Sequence, residues 1–148
     1  MELASTIAAI ISAIASVCAV FIAYLIFRRQ RNISLFERRM QIIKDYDIFI
    51  YDILPDEEWD GSYRPIDTYK TAELISLFGP KFAGFQMIVM NSADFVGECN
   101  KSIQIARSKG KYNDKTIEEW EGLRRERLTN LRTIFSETLD EHENVFRL

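Results

Sequence analysis

From Leu3 to Phe27 the chain has no charged residue, no proline and no glycine, and its only polar side chains are Ser5, Thr6, Ser12, Ser16 and Tyr24. Beyond Arg28 the pattern changes, and apolar residues return at steps of three and four between polar ones. An unbroken apolar run predicts a helix surrounded by hydrocarbon, whereas a three-to-four repeat predicts helices with one buried face. At about 1.5 Å rise per residue, the first segment is long enough to cross a hydrocarbon core of roughly 30 Å with some tilt.

Other readings of this run fit less well. A cleaved signal peptide places cations ahead of a shorter apolar stretch, but here Met1-Glu2 precedes the run and the arginines follow it. A helix lying in the membrane interface would show a charged face, and this one has none. A buried helix of a soluble domain seldom runs so far without a charge. Arg28, Arg29, Arg31, Arg38 and Arg39 all follow the run closely, so the positive-inside bias places the N-terminus outside and the remainder in the cytoplasm. Tyr24 with Arg28, Arg29 and Arg31 is expected to anchor the inner interface. The expected organisation is an anchor over 1–31 and a cytoplasmic helical domain over 32–148.

The span has a small-residue stripe. Ala4, Ala8, Ser12 and Ser16 recur every four residues, and Ala19 and Ala23 continue the stripe after a step of three. Such spacing allows two helix backbones to approach closely. Ile10, Ile14, Val17, Phe21 and Leu25 form the opposite side, suited to lipid. Pairing of this span with itself or with another membrane protein is the expected use of the stripe.

In the second part, Phe36, Met40, Ile43, Ile50 and Leu54, with Tyr46 and Ile53, predict a helix that stops at Pro55. Ser34 to Glu37 has the form of a capping box, although a helix running on from the span suits the same residues. PDEEWDGSYRP has loop composition, and Trp59 and Tyr63 are expected to fold back from it onto the core. A short helix is predicted next, capped by Asp67 and apolar at Tyr69, Leu74, Leu77 and Phe78. Gly79 is placed to stop it and Pro80 to start another. That next helix carries Phe82, Phe85, Val89, Ser92, Val96, Cys99, Ile103 and Ala106 and ends near Gly110. Within it, Gly84 and Gly97 weaken the helix and mark close packing. After KYND, a second capping box at Thr116 to Glu119 opens a last helix bearing Ile117, Trp120, Leu128, Leu131, Phe135 and Leu139. No strand alternation of useful length occurs. The fold class is therefore all-α, a transmembrane helix followed by an antiparallel helical bundle.

The formal net charge is −3 over 148 residues, and no basic face suggests a nucleic-acid partner. The arginines of RRER, from Arg124, sit among glutamates and read as a solvated helix face. Cys18 in the span and Cys99 in a helix cannot meet, which suits a reducing compartment. His142, near the C-terminus, is expected to be solvated. Asp45, Asp47, Asp52, Glu57, Glu58 and Asp60 form an acidic stretch without the spacing of a calcium loop. No phosphate-binding glycine loop, nucleophile elbow or zinc spacing is present in the sequence, so it points to no catalytic residue, metal or cofactor.

The order of motifs has a resemblance. LFERRMQIIKDYDIFI after a span, then ISLFGPKFAGFQMIV, then LRTIFSETLD resemble the LF-x-x-R, LFG and L-x-x-x-F-x-x-x-L segments of small uncharacterised bacterial single-pass membrane proteins. Met40 stands where those proteins often carry tyrosine. The resemblance implies a bacterial, inner-membrane-tethered helical protein and transfers no catalytic or ligand residue. The expected function is a non-catalytic module that associates at the lipid bilayer. The alternative is a membrane-disrupting effector of a bacterial defence or toxin system, oligomerising through its span. A third reading, an enzyme using the acidic stretch and His142, rests on proximity in sequence alone.

Overall fold

The computed structural model describes residues 2–108 and 114–141, with side chains over 12–108 and 116–141. The chain is all-α, an N-terminal apolar helix followed by an antiparallel helical bundle, with no strand among the described residues. Four α-helices are present there: α1 (Glu2–Ile48), α2 (Thr71–Phe78), α3 (Pro80–Ser108) and α4 (Asp114–Glu141). Two compact units divide between Arg38 and Arg39.

In the first unit every described side chain from Ser12 to Leu35 is exposed. Ser34 to Glu37 lies inside α1, so the capping-box form there starts no helix.

The second unit holds the core. Lys81 near the start of α3 pairs with Glu141 at the end of α4, while Arg107 near the end of α3 pairs with Glu121 toward the start of α4. The two long helices are therefore antiparallel. Their apolar faces meet in a run of rings that extends to α2 and to the C-terminal part of α1. Phe85 stacks on Phe135 at 5.6 Å, Phe78 stacks on Phe82 at 4.3 Å, and Tyr46 meets Phe82 edge-on at 5.5 Å. Aromatic pairs at such separations add about 0.5–1.5 kcal/mol each beyond their buried area.

The helix before the loop differs from the sequence expectation. Its last turn, Phe49–Ile53, is a π-helix closed by the bond from Leu54 N–H to the Phe49 carbonyl at 2.8 Å. Residues five apart diverge on an α-helix, but the wider turn stacks Phe49 above Leu54, and both are buried with Ile50. Core contacts thus come from Ile42, Tyr46, Phe49, Ile50 and Leu54, whereas Met40 is exposed and Ile43 half-buried.

The loop and the short helix bring further corrections. Trp59 is buried, meeting Phe49 edge-on at 5.9 Å, but Tyr63 is 62% exposed. Tyr63 contributes its carbonyl instead, which accepts the Trp59 indole N–H at 3.0 Å. Asp67 does not cap α2. It lies in a separate 3₁₀ turn, Pro65–Thr68, and the N-cap position of α2 is Lys70, without a side-chain cap. Tyr69 is buried ahead of that helix. Gly79 does end α2, at φ +92°, a region where a side chain is strained, and Pro80 begins α3.

Of the two glycines within α3, only Gly97 is closely packed, against Trp59 and the backbone at Asp60 and Gly61, while Gly84 faces open space. α4 already includes Asp114, so Thr116 to Glu119 lies within the helix rather than capping it. Gly110, most of KYND and His142 lie outside the described residues.

Candidate functional site

Two surfaces carry the candidate functions, one on each unit. On the first, the described part of the small-residue stripe is Ser12, Ser16, Ala19 and Ala23, all exposed. The side chains of Ala4 and Ala8 lie outside the described residues. The Ser16 hydroxyl donates to the Ser12 carbonyl at 2.9 Å, which satisfies its proton within the helix and leaves its oxygen as an acceptor. Beside Ser16 opens a shallow apolar groove bordered by Val17, Val20, Phe21 and Tyr24. A small residue flanked by large ones offers a seat for a second helix. Tyr24, Arg28, Arg29 and Arg31 are exposed.

On the second unit the acidic stretch is dispersed. Asp45 accepts bonds from Gln41 at 2.7 Å and from the Tyr69 hydroxyl. Asp56 accepts the Glu58 N–H, and Asp60 accepts the Ser62 N–H at 2.8 Å. The Ser62 hydroxyl and N–H hold the Asp60 carboxyl below its ordinary range. Glu57 points to arginines. Among the described residues no three metal-ligating side chains converge.

RRER is not a uniform solvated face. Arg124 is 8% exposed, and its guanidinium donates to the Pro55 carbonyl at the end of the first core helix. The Glu57 carboxylate lies 3.5 Å from both Arg124 and Arg107. Arg132, two turns along α4, rests 5.0 Å above the Tyr51 ring. Arg125 is exposed. Pro55, Glu57, Arg124, Arg125, Leu128 and Arg132 border a cleft of about 290 Å³ between α4 and the loop after Leu54. The sequence signals this only as a cation cluster on one helix. What brings it against Pro55 and Glu57, some seventy residues earlier, is the packing of α4 on the π-helical turn.

The Cys99 thiol is buried in α3, away from solvent. Burial pushes the Cys99 thiol above its ordinary range, outweighing the opposing influence of Arg124. Tyr46 is buried with an unpaired hydroxyl, and desolvation, then the Tyr69 and Asp67 charges, raise its pKa far above the usual value.

Comparison with family models, with curated proteins and with solved structures finds no match for this chain.

Proposed function

We propose that this protein is a single-pass membrane-anchored helical module that works by association and has no catalytic activity of its own. The observation that carries this reading is the apolar surface of α1, long and apolar enough to cross a membrane and exposed at every described side chain through Leu35. A core helix of a soluble protein of similar composition would be mostly buried. Burying this surface in lipid is favourable by about 0.3–0.6 kcal/mol for each central Leu, Ile, Phe or Val. The arginines after Phe27 support an outside N-terminus and a cytoplasmic bundle, and the resemblance to bacterial single-pass proteins supports the inner membrane.

In this reading Ser12, Ser16, Ala19 and Ala23 form the pairing face, and the partner is a second copy or another membrane protein. The test is the mass of the detergent-solubilised protein by light scattering, beside a Ser12→Leu/Ser16→Leu/Ala19→Leu variant. A defined oligomer that dissociates in the variant is expected. A monomer in both samples would overturn self-association through the span. Collapse of membrane potential on induced expression would instead favour the membrane-disrupting alternative, which uses the same face.

A further inference from the structure

The cleft beside α4 is polar and arginine-rich, and its cations are poorly neutralised. Glu57 approaches Arg124 only to 3.5 Å, where a charge-assisted bond between guanidinium and carboxylate closes to about 2.7–2.9 Å. The same carboxylate is 3.5 Å from Arg107, and the Glu57 side chain is more than half exposed. Glu121, the other acid at the cleft, is turned to Arg107 at 3.3 Å. Arg125 has no acidic partner among the described residues. Deeper in, Nε of Arg124 and Nε of Arg132 are buried without a hydrogen-bond partner. Both Nε atoms are closed to solvent, so a ligand in the cleft would meet the outer guanidinium nitrogens of these arginines instead.

We infer that this cleft binds a small phosphate ester, whose anionic oxygens take the place of the Glu57 carboxylate at Arg124 and are held further by Arg125 and Arg132. The guanidinium fork matches phosphate geometry with two parallel bonds, which the single distant contact of Glu57 does not use. A volume of about 290 Å³ is at the lower end of ligand pockets and suits a phosphate group with a few attached atoms. Leu128 and Pro55 give those atoms an apolar wall. Glu57, on the loop, is a displaceable internal competitor. The ligand is either a soluble phosphate monoester or the headgroup of a phosphomonoester lipid, and both present the same dianion.

The full-length protein in neutral detergent is titrated calorimetrically with glycerol 3-phosphate and, separately, with mixed micelles containing phosphatidic acid. Saturable one-site binding is expected in at least one arm, and the arm identifies the source. Arg125→Gln/Arg132→Gln should weaken that binding by about tenfold or more, the loss of one charge-assisted bond or greater. Arg125→Gln alone, an exposed change, provides the same readout if the double variant fails to fold. Glu57→Gln should strengthen binding severalfold, whereas Glu126→Gln, the same charge change facing Arg127 and Phe95, should leave it unaltered. Absence of binding in both arms would overturn the inference. So would binding undiminished by Arg125→Gln, or an equal gain from Glu57→Gln and Glu126→Gln, which would reduce the effect to net charge.

Discussion

Asn100, in the C-terminal third of α3, donates its side-chain amide to two backbone carbonyls of the loop, Asp56 at 3.1 Å and Trp59 at 2.9 Å. One side chain thereby holds the loop across forty residues of sequence, while Gly97 one turn earlier lets Trp59 lie against the helix. Asn100→Leu is expected to cost about 2 kcal/mol or more, because a buried carbonyl left without a donor costs about 1–3 kcal/mol. The urea midpoint followed by tryptophan emission in a Trp120→Phe background measures this, since Trp59 then reports on the loop. An unchanged midpoint would show that water replaces the amide without loss.

Three glycines separate backbone strain from packing. At Gly79, φ +92° makes Gly79→Ala destabilising by about 1 kcal/mol. Gly84→Ala meets open space within a helix and should stabilise by up to about 1 kcal/mol. Gly97→Ala places its new carbon at 3.7 Å from Trp59, an ordinary contact, and should be tolerated, while Gly97→Leu should expel the indole. Thermal unfolding of the three alanine variants and Gly97→Leu, with Trp59 emission in a Trp120→Phe background as the second readout, checks the ordering.

The Tyr46 hydroxyl is buried without a partner, and its raised pKa means that the folded state keeps the proton. Below the ordinary tyrosine value of 10 both states are protonated, so the group has no effect on the pH dependence of stability. Above that pH the unfolded chain loses the proton first, and stability falls as pH rises. Tyr46→Phe should flatten this alkaline loss and, by removing an unpaired hydroxyl, stabilise the bundle by about 1 kcal/mol at neutral pH. Urea titrations of both proteins at pH 7 and pH 11 would measure the two effects separately, and an equal alkaline loss in the variant would reject the assignment.

Tyr63 is well exposed on the loop and makes its contact to Trp59 through its backbone, so it tolerates a cysteine probe. In a background with Cys18→Ser and Cys99→Ala, Tyr63→Cys should react with a membrane-impermeant maleimide only after the cells are permeabilised. Labelling of intact cells would reverse the orientation inferred from the arginines.

Of the proposed pairing face, Ser12, Ser16, Ala19 and Ala23 are described and exposed. Ser16→Leu alone should weaken pairing less than the triple change, because the contact along a helix seam is distributed over several turns. Cross-linking yield in membranes, compared between single and triple variants, orders the two.

Some of this protein was settled by composition and period alone. The run from Leu3 to Phe27 has no polar backbone partner to seek beyond its own helix, so its helicity and its suitability for lipid are local properties. The core faces of α3 and α4 were legible for the same reason, since Phe82, Phe85, Val89 and Val96, and Leu128, Leu131 and Phe135, recur at helical spacing and are buried. Gly79 was readable because a positive φ is a local demand. Packing decided the rest. The Leu54 N–H bonds back to the Phe49 carbonyl in a π-helical turn, and Phe49, Ile50 and Leu54 are all buried, a local widening that the spacing of apolar residues does not announce. Trp59 entered, against Gly97 and Phe49, while Tyr63 stayed exposed, a choice made by long-range contacts that the loop sequence does not carry. Arg124 left the solvated face assigned to it because α4 lies beside the Pro55 carbonyl, and a contact between residues so far apart in sequence leaves no trace in the spacing of either.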